Sequence, residues 1–94
     1  MPNKMIWKYS FEEGSVRFAM PEGSEVLSAD VQAGRICIWV MFDVEHKRIE
    51  NFEEREFVVV PTGLGFKYEG SLDFINQVQY PNGEIYHIFE VKGG

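Results

Sequence analysis

An all-β domain of about seven antiparallel strands, arranged as a small sandwich or a partly open barrel, is predicted by three features of the sequence. Apolar and polar residues alternate over short runs, turn-forming residues interrupt those runs at short intervals, and no segment carries a convincing helical period. Alternation reports a strand because successive side chains point to opposite faces, so a half-buried strand is apolar on one side only.

Met5, Trp7, Tyr9 and Phe11 alternate with Lys8, Ser10 and Glu12, which predicts a first strand with one apolar face. Val16, Phe18 and Met20 repeat the pattern against Arg17 and Ala19; Leu27, Ala29 and Val31 repeat it against Ser28, Asp30 and Gln32. The fourth run, Ile36-Cys37-Ile38-Trp39-Val40-Met41-Phe42, is apolar at every position. Both its faces must leave water, so Arg35 to Phe42 is expected to be a central strand needing cover on each side. That cover comes either from closure within one chain or from a neighbouring subunit. Phe57 to Val60 is a shorter run of the same kind, and Tyr68 to Phe74 and Ile85 to Val91 supply the last strands.

Turn signals fall at Pro21-Glu22-Gly23-Ser24, Gln32-Ala33-Gly34, Pro61-Thr62-Gly63-Leu64-Gly65 and Pro81-Asn82-Gly83-Glu84. Glycine supplies positive φ and proline presets φ, so each is expected to be a hairpin-type break. Asp43 to Glu56 concentrates charge, with Ile49 and Phe52 three apart as its apolar pair. This is a weak stripe, and a solvated loop or a short helical turn is expected there. No repeat, low-complexity tract or linker divides the chain, so residues 1–94 are expected to form a single all-β domain.

Fifteen acidic residues against nine basic ones give a formal charge of −6, a field that repels nucleic acid and anionic membrane. Neither is an expected partner. Lys and Arg are scattered among the acids, which disfavours imitation of a DNA surface. The single cysteine, Cys37, excludes an intrachain disulfide and a cysteine-based zinc cluster, and a reducing, cytosolic setting fits best. No apolar stretch approaches the ~20 residues of a membrane span, and Met1-Pro2-Asn3-Lys4 runs into strand-like sequence without a signal-peptide core.

Catalytic chemistry finds few carriers. His46 lies between Glu45 and Lys47 in the charged segment and reads as solvent-exposed. His87 lies in the last strand, where Glu90, three residues on, points to the opposite face and cannot pair with it. Two histidines do not supply the three or four ligands of a metal centre, and no serine has the glycine-flanked setting of a nucleophile. No enzyme activity, catalytic residue, metal or cofactor is expected. The remaining recognition chemistry is aromatic, guanidinium and loop backbone. Thr62, Gly63 and Gly65 sit in a glycine-rich loop able to turn N–H groups toward a phosphate, although no helix or lysine follows. Arg35 and Arg55 flank the two most apolar runs, and Trp39, Tyr86 and His87 complete a candidate ligand-binding set able to stack a base and clamp a phosphate.

Ile6-Trp7-Lys8-Tyr9, Met20-Pro21-Glu22-Gly23 leading to Val26-Leu27-Ser28, and Gln32-Ala33-Gly34 before Ile38-Trp39 resemble a family of small phage and prophage proteins of uncharacterised function. The resemblance continues through Phe57-Val58-Val59, Thr62-Gly63, Tyr68-Glu69-Gly70 and Tyr86-His87-Ile88-Phe89-Glu90. Pro61 departs from the family's usual Gly-Thr-Gly, and the stretch from Asp73 to Gly83 is longer than usual. The resemblance implies a phage accessory protein in the host cytoplasm and transfers no activity or site. It makes a homo-oligomer that sequesters a small nucleotide immune signal the leading expectation. A protein-binding inhibitor of a host defence or nucleic-acid-processing protein is the alternative, and a minor virion protein the third.

Overall fold

The alternating runs pair edge to edge into two sheets that bury their apolar faces against each other. The structure, a computed structural model, describes residues 3–12, 14–44, 51–68 and 70–92. Seven strands follow one another: β1 (Lys4–Phe11), β2 (Ser15–Pro21), β3 (Glu25–Gln32), β4 (Arg35–Asp43), β5 (Phe52–Pro61), β6 (Ser71–Gln79) and β7 (Ile85–Lys92). A three-stranded sheet has the order β1-β4-β3 and a four-stranded sheet the order β2-β5-β7-β6. Every ladder is antiparallel. The sheets stack as a sandwich and do not close into a barrel.

β4 is central, as its two apolar faces require. Ile36, Ile38, Val40 and Phe42 point inward and join Met20, Phe57, Val59 and Ile88 in a core from which water is excluded. Aromatic rings tie the layers: Phe18 of β2 lies 5.0 Å from Tyr9 and 5.7 Å from Phe11, centroid to centroid. Trp7 meets Phe42 edge-on at 4.6 Å. Among the described residues, no second layer covers the opposite face of β4. There Cys37 is buried beneath a roof: Lys8 Nζ on β1 reaches over β4 to donate to Gln32 Oε1 on β3 at 2.6 Å, and Ser10 Oγ lies 3.3 Å from Cys37 Sγ. Trp39 and Met41 are half-buried on the same face.

Four expectations are corrected. β5 begins at Phe52, so the second half of the charged segment is strand, held by pairing with β2 from Pro21↔Phe52 to Ser15↔Val58. The expected loop or helical turn is otherwise confined to 45–50, which lie outside the described residues together with His46. β6 covers 71–79 instead of ending at Phe74, because an edge strand tolerates Asn76, Gln77 and Gln79. Leu27 does not share the inward face with Ala29 and Val31. A β-bulge between Val26 and Ser28 shifts the alternation, placing Val26 against the core and leaving Leu27 exposed. Only two of the four turn signals make hairpins. Ala33 and Gly34, with φ of 53° and 75°, form the two-residue β3–β4 turn, and Tyr80 to Glu84 forms the β6–β7 turn. Pro21 to Ser24 instead carries the chain from one sheet to the other, and Pro61 to Gly65 opens a longer crossover.

One side of the sandwich is stitched by a side chain. Asn76 accepts from Ala29 N through Oδ1 and donates to Ala29 O through Nδ2, both at 2.8 Å, so its amide imitates a paired strand residue between β6 and β3. Asn76→Leu is expected to cost about 1–3 kcal/mol, because it leaves the N–H and C=O of buried Ala29 without these partners. Urea denaturation checks it; a loss under 0.5 kcal/mol, roughly the size of an ordinary surface substitution, would show that water replaces the amide.

Candidate functional site

The β5–β6 connection decides what the four-stranded sheet displays. β5 and β6 both run antiparallel to β7, which lies between them, so they are parallel to each other and the connection from Pro61 to Ser71 must cross β7. The crossing begins near Tyr86, opposite Pro61, and ends near Lys92, opposite Ser71. It therefore traverses the outer face along much of its length. Gly63, at φ 84°, provides the left-handed turn that departs from the strand.

Thr62 anchors the start. Its Oγ1 donates to Ile85 O at 3.1 Å and its backbone N–H to the same carbonyl at 3.2 Å. With the hydroxyl proton so placed, His87 Nε2, 2.8 Å from Oγ1, is assigned as a donor to it. The pair fastens the start of the crossover to β7. Further along, Phe66 lies 6.4 Å from Phe89 of β7, and Phe74 of β6 lies 5.5 Å from the same ring. Val60, outward by alternation, is buried beneath this path.

The result is an exposed apolar ridge. Leu64, Phe66 and Phe74 are 62%, 53% and 59% exposed, and Phe89 bridges the two phenylalanines from below. Three large apolar side chains are held open to water here, and contiguous exposed apolar residues are less usual than scattered ones. Next to the ridge, the same face turns acidic at β5, where Glu54 and Glu56 point outward and Arg17 pairs with both, at 3.6 and 3.8 Å.

Of the eight residues that sequence proposes for ligand binding, Thr62, Gly63, Gly65 and His87 come together at one end of this ridge. The other four are elsewhere. Tyr86, although next to His87, points inward and packs at a tilt against Tyr80, centroids 5.1 Å apart, with its hydroxyl donating to Glu84 at 2.5 Å. Arg35 begins β4 in the other sheet and pairs with Glu12 at 3.4 Å. Trp39 lies on the outer face of the other sheet. Arg55 sits at the open end of the sandwich, where Nε and Nη2 grip Glu90 at 2.5 and 2.9 Å and Nη1 donates to Ser24 O at 2.5 Å.

Two clefts flank that ion pair, of about 570 and 460 Å³, sharing Gly23, Ser24, Arg55, Glu90 and Lys92. Their volume suits a small ligand, but their cations are committed. Arg17 is held by Glu54 and Glu56, Arg55 by Glu90 and Glu53, and Lys92 by Asp73 and Glu90. A phosphate would have to displace carboxylates to use them. No group of three or more His, Cys, Asp or Glu is arranged to hold a metal among the described residues.

The ridge was missed in the sequence because Phe74 and Phe89 were read only as members of strands, and the loop holding Leu64 was read for its backbone. Leu64 and Phe66, lying in a glycine-rich connection instead of a strand, carried the signal that did distinguish them.

Fold and site together define a small two-sheet β-sandwich with an exposed apolar ridge on the outer side of its larger sheet. The chain belongs to the family described as a domain of unknown function, DUF7352, which matches residues 2–94. No curated protein and no solved structure matches it.

Proposed function

We propose that the protein is a non-catalytic binding module that recognises a partner protein through the ridge formed by Leu64, Phe66, Phe74 and Phe89. The carrying observation is the exposure of Leu64 and Phe66 on the crossover and of Phe74 on β6, with Phe66 and Phe74 both against Phe89. Glu54 and Glu56 beside them, and the charge of −6, suit a partner whose apolar segment is bordered by basic residues. In the phage setting that the sequence resemblance implies, the partner is a host defence or nucleic-acid-processing protein and the place of action is the host cytoplasm.

Phe66→Ser with Phe74→Ser removes the ridge while leaving stability within about 1 kcal/mol, since both rings are more than half exposed. Affinity purification from a bacterial lysate with the wild-type chain and this double variant tests the proposal. A partner retained by the first and lost by the second supports it; equal recovery by both places recognition elsewhere.

A second reading, sequestration of a small nucleotide signal, is favoured by the Thr62–His87 pair beside stackable rings. Calorimetry with cyclic oligonucleotides and cyclic ADP-ribose-type molecules separates the two. Heat that disappears in His87→Ala would install the nucleotide reading in place of the protein partner.

A further inference from the structure

The outer face of the three-stranded sheet is not apolar throughout; its charges are sorted by strand. Strand register and alternation place Lys4, Ile6, Lys8 and Ser10 of β1 on that face, beside Asp43, Met41, Trp39 and Cys37 of β4. On the other flank β3 contributes Glu25, Ser28, Asp30 and Gln32. The face therefore has a basic row along one edge, an apolar centre at Trp39 and Met41, and an acidic row along the other edge. Ile6 on the basic side is 55% exposed and extends the apolar centre.

This pattern is complementary to itself under one symmetry operation. When two copies stack face to face about a two-fold axis that lies in the interface and runs along the strands, left and right exchange, so β1 of each copy lies over β3 of the other. Lysine then meets carboxylate on both flanks, and Trp39 and Met41 meet their own counterparts at the centre. An axis perpendicular to the strands would set β1 over β1, lysine against lysine. Successive outward residues on a strand are about 7 Å apart, so Lys8 falls between the levels of the partner's Glu25 and the partner's Asp30, within reach of either. Its bond to Gln32 uses one of three ammonium protons. At the strand ends, Arg35 is already neutralised by Glu12 at 3.4 Å.

We infer that this face is the interface of a homodimer, its two-fold axis close to the strand direction and its register set by Lys8 against the partner's Glu25 and the partner's Asp30. The inference does not depend on the aromatic ridge, which points away on the opposite sheet and would be presented twice by the dimer. Three strands about 4.8 Å apart and about 27 Å long give roughly 400 Å² in projection, below the ~800 Å² per partner of a standard interface. The dimer is accordingly weak, with a dissociation constant in roughly the tens of micromolar, and dependent on its charges.

Sedimentation velocity across protein concentration tests this. The wild-type chain is expected to dimerise in about 50 mM salt and to dissociate several-fold more readily in about 0.5 M salt, where the screening length is a few ångströms. Lys8→Glu is expected to weaken the dimer about tenfold or more, because both flanks then carry like charge. Lys8→Glu with Asp30→Lys is expected to restore it to within about threefold of wild type. Glu25→Lys is the second variant, reaching the same contact without touching the Lys8–Gln32 roof, and thermal unfolding of each confirms that it folds. A wild-type chain that stays monomeric at about 0.5 mM overturns the inference, since a dimer of the expected affinity would be the major species there. A dimer indifferent to both Lys8→Glu and Glu25→Lys, or a charge exchange that restores nothing, overturns it equally.

Discussion

Arg55→Leu is expected to lower the unfolding free energy by about 3–5 kcal/mol, the cost of breaking a buried ion pair from one side. Glu90 is 5% exposed and receives two hydrogen bonds from Arg55, whose third donor satisfies the carbonyl of Ser24. Removing the guanidinium leaves a carboxylate where water has little access. Replacing both partners, Arg55→Leu with Glu90→Leu, is expected to recover most of the loss, because an apolar pair carries no desolvation cost. The pH dependence distinguishes this cause from simple loss of packing. Burial pushes the Glu90 carboxyl up, but the hydrogen bonds and charge of Arg55, with a smaller contribution from Lys92, hold it below the usual range. Its stabilising contribution is therefore complete above the ordinary glutamate value, about 4.3, and is lost as pH falls through the lower folded value. In Arg55→Leu the sign reverses: burial is opposed only by the smaller contribution of Lys92, the folded carboxyl is expected to titrate above its ordinary value, and destabilisation grows as pH rises. The gap between wild type and variant in urea midpoints should thus narrow from pH 7 to pH 4. A gap of constant size would assign the loss to packing alone.

How far the sequence reached is best seen at β4. Seven consecutive apolar residues required two faces out of water, and the structure puts Ile36, Ile38, Val40 and Phe42 in the core. Alternation likewise located β1 and β2, because each is a strand with one inward face. It failed where the period of two is interrupted. The bulges after Val26 and Phe74 insert a residue and exchange the faces, and nothing local in either sequence announces the extra residue. Pairing between distant strands was equally invisible. That Arg55 would meet Glu90, and Asn76 the backbone of Ala29, depends on which strands become neighbours, a property of the whole chain and not of either segment. Thr62 and His87 were singled out separately for their chemistry; only the crossover over β7 brings them within 2.8 Å.

Phe57→Ala is the second substitution expected to cost about 3–5 kcal/mol, and its comparison with Trp39→Ala tests the two layers of β4 directly. Phe57 is fully buried between the sheets, with Phe18 at 6.3 Å, so truncation removes a transfer contribution and leaves a cavity that the surrounding strands cannot close. Trp39 is larger but stands on the outer face, half-buried among Lys8, Ser28 and Met41, its neighbours in register and along the strand. Its removal opens no enclosed space, because water fills the site, and only the transfer contribution is lost. The expected cost is about 1–2 kcal/mol in the monomer, less than that of the smaller ring. Guanidinium denaturation at low protein concentration, where a weak dimer is dissociated, measures both on the same footing. At high concentration the order tightens, since Trp39→Ala also loses whatever the second copy contributes while Phe57→Ala does not. Equal costs for the two substitutions at every concentration would mean that the outer face of β4 is as well covered as the inner one.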